Sequence, residues 1–383
     1  MKHYVGLDVS MKETFFCIVD ECGKVVHQGH VKTDPELIAE SVKKFQIPIE
    51  LAGIESGSIS HWLVDELLKL NVPALCIDAR KMATLLSVKV NKTDKNDAKG
   101  IADAMRCGMY RAVTQKSSNA MEVSTLMGCR RLLVEQKVQT TNGIRGFLKT
   151  YGIRLGPTTD SNFVKKVRAV LPESRIIAKE GIEILLNQFE SLYENLKKMT
   201  TRVEMLARQD EDIKLLTTIP GVGTITAMTF KAEIDDPKRF KNSRAVGAYL
   251  GMTPKQYSSG ETKRLGRISK CGSPEVRGLL NEAAVVLLTR SEKWSKLKAW
   301  GLKIARKHGF KSACMAVARK LAVIMHRMWL DRTTFVFGAP QEAKSTGLET
   351  TGHKSGSAVV GKHEMIMEHA EKTCLTACVA QAR

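Results

Sequence analysis

Two short apolar runs near the N-terminus each end in a carboxylate, and that pairing constrains the fold of this chain more than any other feature. Residues 3–9, HYVGLDV, read as a buried strand closing on Asp8, and residues 49–55, IELAGIE, as another closing on Glu55. Between them TFFCIVD (14–20) and KVVHQGHVK (24–32) flank Glu21-Cys22-Gly23, which reads as a hairpin turn. Asp34-Pro35-Glu36 then opens a helix, with Asp34 as N-cap, Pro35 at the first helical position, and Leu37, Ile38, Ser41, Val42 and Phe45 along one side. An amphipathic helix over 60–70 (Trp62, Leu63, Leu67, Leu68) and a strand PALCIDA (73–79) follow. Three antiparallel strands, and then strands alternating with helices, make an α/β pattern.

The next acids come as a pair. Lys92-Thr93-Asp94-Lys95-Asn96-Asp97-Ala98, followed by Ile101, Ala102 and Ala104, reads as the first turns of a helix with Asp94 and Asp97 on one face. If the strands of Asp8 and Glu55 are adjacent, both acids leave the same sheet edge, and this helix can pack across it. Four converging carboxylates raise one another's pKa strongly. Divalent metal removes the conflict, because hard oxygen donors suit Mg²⁺, with Mn²⁺ as a substitute. Two such ions about 3.5–4 Å apart are the usual device for in-line phosphodiester cleavage. Each acid also has a plainer role open to it. Asp8 can be a strand-end turn residue, Glu55 a cap for a helix beginning near Ser58 or Ser60, and the Asp94–Asp97 pair a solvated helix N-terminus. Together, the order of strand acid, hairpin, strand acid and helical acids is that of the RNase H/RuvC nucleases.

Charge supports a nucleic-acid partner. Sixty Lys+Arg against forty Asp+Glu leave a formal net charge of +20, and the simplest partner for that excess is a polyanion. No run of eighteen apolar residues exists, and the N-terminus lacks a signal-peptide core, so a membrane is not expected. The nine cysteines form no CxxC pair and no zinc spacing. Reduced thiols in a cytoplasmic, nucleoid-associated protein fit them.

From about residue 117 the texture changes. Residues 120–150 and 174–212 carry apolar side chains three and four apart (Leu185, Leu186, Phe189, Leu192, Leu196, Met199) and read as an antiparallel helical pair, a coiled coil suited to dimerisation. Gly152 to Asn162 is the break between them. At Ile219-Pro220-Gly221-Val222-Gly223 two helical segments meet in what looks like a helix-hairpin-helix turn, whose glycines let backbone N–H groups face a phosphate; an ordinary helical hairpin is the alternative. Residues 236–272 read as loop-rich and basic, with Tyr257-Ser258-Ser259-Gly260 inside them, and helices are expected at 274–291 and 295–332. After Gly338 the Gly/Ser/Thr/Lys-rich composition predicts a flexible tail.

These motifs together resemble the DEDD transposases of the insertion-sequence 110 family. The resemblance covers most of residues 3–330. It rests on Gly6-Leu7-Asp8, Gly53-Ile54-Glu55-Ser56, Lys92 through Ala98, Ile219 through Gly223, and Gly251-Met252-Thr253-Pro254 through Ser259-Gly260. It implies an RNase H-like (RuvC-like) α/β domain over 1–116 and a helical coiled-coil linker over 117–212. A mostly α-helical transposase domain with a helix-hairpin-helix over 213–337 and a tail over 338–383 complete the implied order. It implies Asp8, Glu55, Asp94 and Asp97 as the metal ligands; Asp103 lies outside that motif. It also implies Ser259 as a nucleophile that becomes covalently joined to a DNA phosphate. Ser258 stands where many relatives carry a charged residue, so the two serines compete for that match.

What the resemblance further implies is a recombinase acting on donor and target DNA, guided by a non-coding bridge RNA and working as a homodimer or homotetramer. Two other functions stay open. A junction-resolving endonuclease with the same RuvC-like core would hydrolyse DNA with water, and a non-enzymatic DNA-binding protein would use the helix-hairpin-helix and basic loops alone.

Overall fold

The computed structural model describes residues 1–87, 93–171 and 175–338 and divides into two compact units, Met1–Ser117 and a second from Ser118 onward. Lys92 and the segment beyond Gly338, with Cys374 and Cys378, lie outside the described residues.

In the first unit the N-terminal runs form β1 (His3–Val9), β2 (Glu13–Asp20) and β3 (Val25–Lys32), joined antiparallel. Asp20 closes the β2–β3 turn by accepting from the Cys22 and Lys24 N–H groups, each at 2.9 Å, and Gly23 takes φ +84° there, where an L side chain would be strained. Helix α1 (Pro35–Lys43) starts as its sequence dictates, the Asp34 carboxylate accepting from the Glu36 and Leu37 N–H groups. Then come β4 (Ile49–Glu55), α2 (Ser60–Lys69), β5 (Ala74–Ile77), α3 (Ala79–Leu86) and α4 (Asp94–Arg106). The sheet order is β3-β2-β1-β4-β5, with β4 parallel to β1 and β5 parallel to β4. That order and those directions are the RNase H-like sheet.

Burial follows from strand position. β3 alternates half-buried and exposed along its whole length, as an edge strand with one wet face does, whereas β1 is covered on both faces. Val5 and Leu7 pack with Ala52 and Ile54 of β4 against Ile38, Leu63 and Leu67 of α1 and α2. Tyr4 and Leu51, on the opposite face, belong with Ile101 and Met105 of α4. Leu37, Trp62 and Leu68, expected on inward faces, are exposed; α2 is held instead by Leu63, Val64 and Leu67.

The second unit is mostly helical. Helices α5 (Ser118–Thr150) and α7 (Ile176–Gln209) form the expected antiparallel pair: Met127 shares a core with Val203 and Ala207, while Ile144 and Leu148 share one with Ile182 and Leu186. A short helix, α6 (Asp160–Val170), fills part of the break between them and buries Phe163 and Val167. Next come α8 (Glu211–Leu216), α9 (Thr224–Ile234), a 3₁₀ turn at Pro237–Arg239 and α10 (Arg244–Tyr249). Residues 254–268 are not loop: they pair as a two-stranded hairpin, β6 (Pro254–Ser259) and β7 (Thr262–Ile268). The helices α11 (Pro274–Thr289), α12 (Lys296–His308) and α13 (Phe310–Asp331) complete the unit. The single helix expected over 295–332 is broken at Gly309, whose φ of +84° reverses the chain. Among the described residues no helix is long and apolar enough to cross a membrane.

Candidate active site

The position of the acids is set by two glycines. A Cβ on Gly6 would lie 2.0 Å from the Ala98 carbonyl oxygen and 2.4 Å from the Ala102 nitrogen, and one on Gly53 would lie 2.6 Å from the Met105 sulfur. Helix α4 therefore rests on bare backbone of β1 and β4. Because side chains alternate along a strand, Asp8, two residues beyond Gly6, and Glu55, two beyond Gly53, belong to the face that α4 covers. Gly6 pairs with Gly53 and Leu7 with Ile54 in the parallel ladder, so the two acids follow as neighbours at the C-terminal ends of adjacent strands.

The direction of α4 brings the other pair to the same end. At its last turn Arg106 reaches the Glu21 carbonyl at 3.5 Å and flanks Gly23, at the β2–β3 turn beside the start of β1. Its first turn, with Asp94 and Asp97, is consequently directed toward the strand ends that carry Asp8 and Glu55. Thr93 caps that turn, its hydroxyl accepting from the Asn96 N–H at 3.2 Å. Asp97 is 8% exposed, Asp94 is exposed, and Asp8 and Glu55 are half-buried. Asp103 stands apart from them, 3.8 Å from Arg106 in an ion pair within the helix.

Among the described residues no three His, Cys, Asp or Glu side chains stand close enough together to hold a metal ion. The fold thus directs the four acid-bearing positions to one end of one sheet face without closing their carboxylates into a coordination sphere. Their chemistry, oxygen donors only and all anionic, fits a hard divalent cation. Ser56 fixes the strand end behind Glu55: its N–H donates to the Ile77 carbonyl at 2.8 Å, and its hydroxyl accepts from the Ala79 N–H at 3.2 Å. The sequence motif contained Ser56, but nothing in its spacing signalled this bracing role.

Ser259 lies in the second unit, on the hairpin. It pairs with Thr262 across a two-residue turn, Gly260-Glu261, with Gly260 at φ +53°. Every residue of β6 is exposed. Ser259 shares a hairpin face with Tyr257 and Arg264, which pair with each other, whereas Ser258 is on the other face and accepts from Gln256 Nε2 at 3.0 Å. The segment between α8 and α9 is a tight turn in which a Cβ on Gly221 (φ +88°) would meet the Ala283 carbonyl of α11 at 2.4 Å. That glycine serves packing. The turn, Thr217 to Val222, borders a groove of about 460 Å³ together with Arg290, Glu292 and Lys293, while Ile219 and Val222 are buried in the core.

Three comparisons bear on these features. The transposase domain of the DEDD type found in IS110 elements matches residues 5–153, and the domain described as "Transposase IS116/IS110/IS902 family" matches residues 213–299. The chain is 28% identical over 341 residues to the transposase for insertion sequence element IS1111A of Coxiella burnetii, covering 88% of this chain and 92% of that one. It is 31% identical to the transposase for IS1328 of Yersinia enterocolitica, covering 74% of this chain and 85% of that one. Among solved structures, Thermus thermophilus RuvC in complex with a Holliday junction substrate aligns over 30% of this chain and all of that one, at 14% identity and a TM-score of 0.24.

Proposed function

The chain belongs to the IS116/IS110/IS902 family of transposases, enzymes that act on DNA, and from that premise we propose that it cuts and rejoins strands with a metal-binding acid site and a serine nucleophile. The observation that carries the acid site is the common end of one sheet face to which Asp8, Glu55 and the first turn of α4 are all directed. Asp8, Glu55, Asp94 and Asp97 would hold divalent metal, Mg²⁺ with Mn²⁺ in its place, as a pair of ions. When bound, such ions stabilise charge on the attacking and departing oxygens of a phosphodiester.

The remaining steps belong to side chains. Ser259, exposed beside the hairpin turn, presents its hydroxyl to a phosphate, and Arg264 on the same hairpin face supplies a cation for the phosphate oxygens. Oγ gives up its proton to solvent and forms a bond to phosphorus, while the sugar oxygen departs and takes up a proton. The covalent phosphoserine conserves the diester bond, so rejoining needs no nucleotide cofactor.

The partners follow from the same premise: donor and target DNA, with a non-coding bridge RNA that pairs with both, leaving the protein to read backbone and shape. The +20 charge suits two polyanions at once. The turn between α8 and α9 would act as a helix-hairpin-helix contact to phosphate, with Arg290 and Lys293 bordering its groove on either side of Glu292. The α5–α7 pair would join copies into a homodimer or homotetramer, supported by Leu132, Ile177 and Ile184, which it leaves exposed. In this division residues 1–116 are the nuclease, 117–212 the linker and 213–337 the transposase domain, working in the cytoplasm on the nucleoid.

The test is the fate of the phosphate. Wild-type protein incubated with cognate DNA and Mg²⁺, then denatured, should carry a DNA adduct that mass analysis maps to Ser259. Ser259→Ala should lose both adduct and cleavage, and Ser258→Ala should keep both. Full cleavage by Ser259→Ala, with no adduct in the wild type, would mean hydrolysis by water and a junction-resolving endonuclease instead.

A further inference from the structure

Helix α12, Lys296–His308, has no acidic residue, and its cations are not spread evenly. Gly301 marks the inner face, since a Cβ there would lie 2.6 Å from Leu288 and 2.7 Å from Val317. Opposite it, Lys296, Lys303, Arg306 and Lys307 recur at helical spacing, with Trp300 on the flank of that face, and all five are exposed. The stripe from Lys296 to Lys307 is about 16 Å long at the helical rise. Among the described residues none of these cations makes an ion pair.

The indole of Trp300, 38% exposed, is the anomaly on such a face. It borders a groove of about 300 Å³ with an apolar floor of Leu297, Ile324 and Phe335, flanked by Lys296 and Lys320. Lys320 Nζ stands 5.9 Å from the centre of the indole ring. Cations alone would serve any polyanion, and a duplex keeps its base faces stacked inside, so it gains nothing from an exposed indole over an apolar floor. An unpaired base does gain, by stacking, while its flanking phosphates meet the lysines.

We propose that α12 and this groove hold an unpaired segment of DNA strand, one base stacked on Trp300 and the phosphates along the Lys296–Lys307 stripe. This rests on the strand-cutting function proposed above, because an enzyme that cuts and rejoins strands must manage DNA that is transiently unpaired. It adds a site outside the acids, the serine hairpin and the α8–α9 turn.

The experiment is fluorescence anisotropy with the full chain, a labelled oligothymidylate, a duplex of equal length and an oligouridylate. Trp300→Ala should weaken oligothymidylate binding about tenfold or more and leave duplex binding within about twofold, both measured well below the melting transition of the variant. Trp300→Phe should keep most of the affinity, because a benzene ring still stacks. Lys303→Gln with Arg306→Gln should weaken both DNA forms and flatten their salt dependence. Single-strand affinity unmoved by Trp300→Ala, or an equal loss for duplex, would overturn the stacking site. A loss confined to oligouridylate would give the groove to RNA and overturn the assignment to DNA. Wild-type protein that cleaved cognate DNA yet bound none of the three would overturn the groove site and leave the strand-cutting function standing; loss of cognate cleavage with Mg²⁺ is what would sink that function.

Discussion

Asp97 is almost fully buried, in a helix that rests directly on the backbone of two central strands; Ser259 sits on a hairpin with one strand exposed along its whole length. The acids are positioned by a core, the serine by a ladder of backbone hydrogen bonds and a glycine turn. A site built on packed elements keeps its geometry without a ligand, whereas an exposed two-stranded ribbon is marginal alone and is ordered by what binds it. The two halves of the proposed chemistry should therefore respond differently to substitution. Asp97→Ala should reduce strand cleavage to background while leaving nucleic-acid affinity within about twofold, because it removes one proposed metal ligand and no cation. Gel assays of cleavage and binding on the same preparation check both halves.

Gly6→Val strikes the support beneath the acids. Its side chain would collide with the Ala98 carbonyl, which belongs to backbone that cannot turn aside. A loss of about 3 kcal/mol or more is expected, with α4 displaced and cleavage lost along with the melting transition of the first unit. A folded, active Gly6→Val protein would break the contrast, since it would show that the acids do not depend on that close approach.

The body that carries the hairpin is tied by an ion network. Lys231 bonds Asp210 and Asp212, each at 2.6 Å, Arg332 pairs with Asp212, and Lys231 lies 5.7 Å from the Trp329 ring. Burial opposes ionisation of Asp212, but Lys231 and Arg332 outweigh it and hold its carboxyl below the usual carboxylate range. A depressed folded pKa contributes stability that is fully present above the unfolded value and is lost as pH falls through the folded one. Asp212→Asn should therefore cost about 1–2 kcal/mol near neutral pH and less at low pH, where the wild type has lost the same contribution. Urea melts at the two pH values measure it. The smallest effect belongs to the hairpin: Tyr257→Ala, 59% exposed, should change stability by less than about 0.5 kcal/mol.

The same contrast explains what could be read from the residues in order. The strands of the first unit were legible because buried β1 and β4 are short apolar runs bounded by turns, and the acids stood out at their ends. The hairpin was not: Pro-Lys-Gln-Tyr-Ser-Ser has no apolar face, so neither periodicity nor composition separates it from a loop. Gly309 was hidden because one glycine in a long periodic stretch is tolerated in a helix, and only its φ shows the reversal. Trp62 and Leu68 misled for a related reason, since α2 needs only a narrow stripe to cover the sheet. The roles of Gly6 and Gly53 are a matter of three-dimensional approach, and nothing within a strand announces which neighbour will need the space.

The central claim is that acids far apart in the chain share divalent cations. Isothermal titration of the full chain with Mn²⁺ tests it most directly, comparing wild type with Asp8→Ala, Glu55→Ala and Asp97→Ala at matched melting temperature. The wild type should bind the ion, and each substitution should weaken that binding by about tenfold or more. Binding that survives Asp8→Ala and Glu55→Ala unchanged would contradict the claim and leave the strand-end acids with a structural role only.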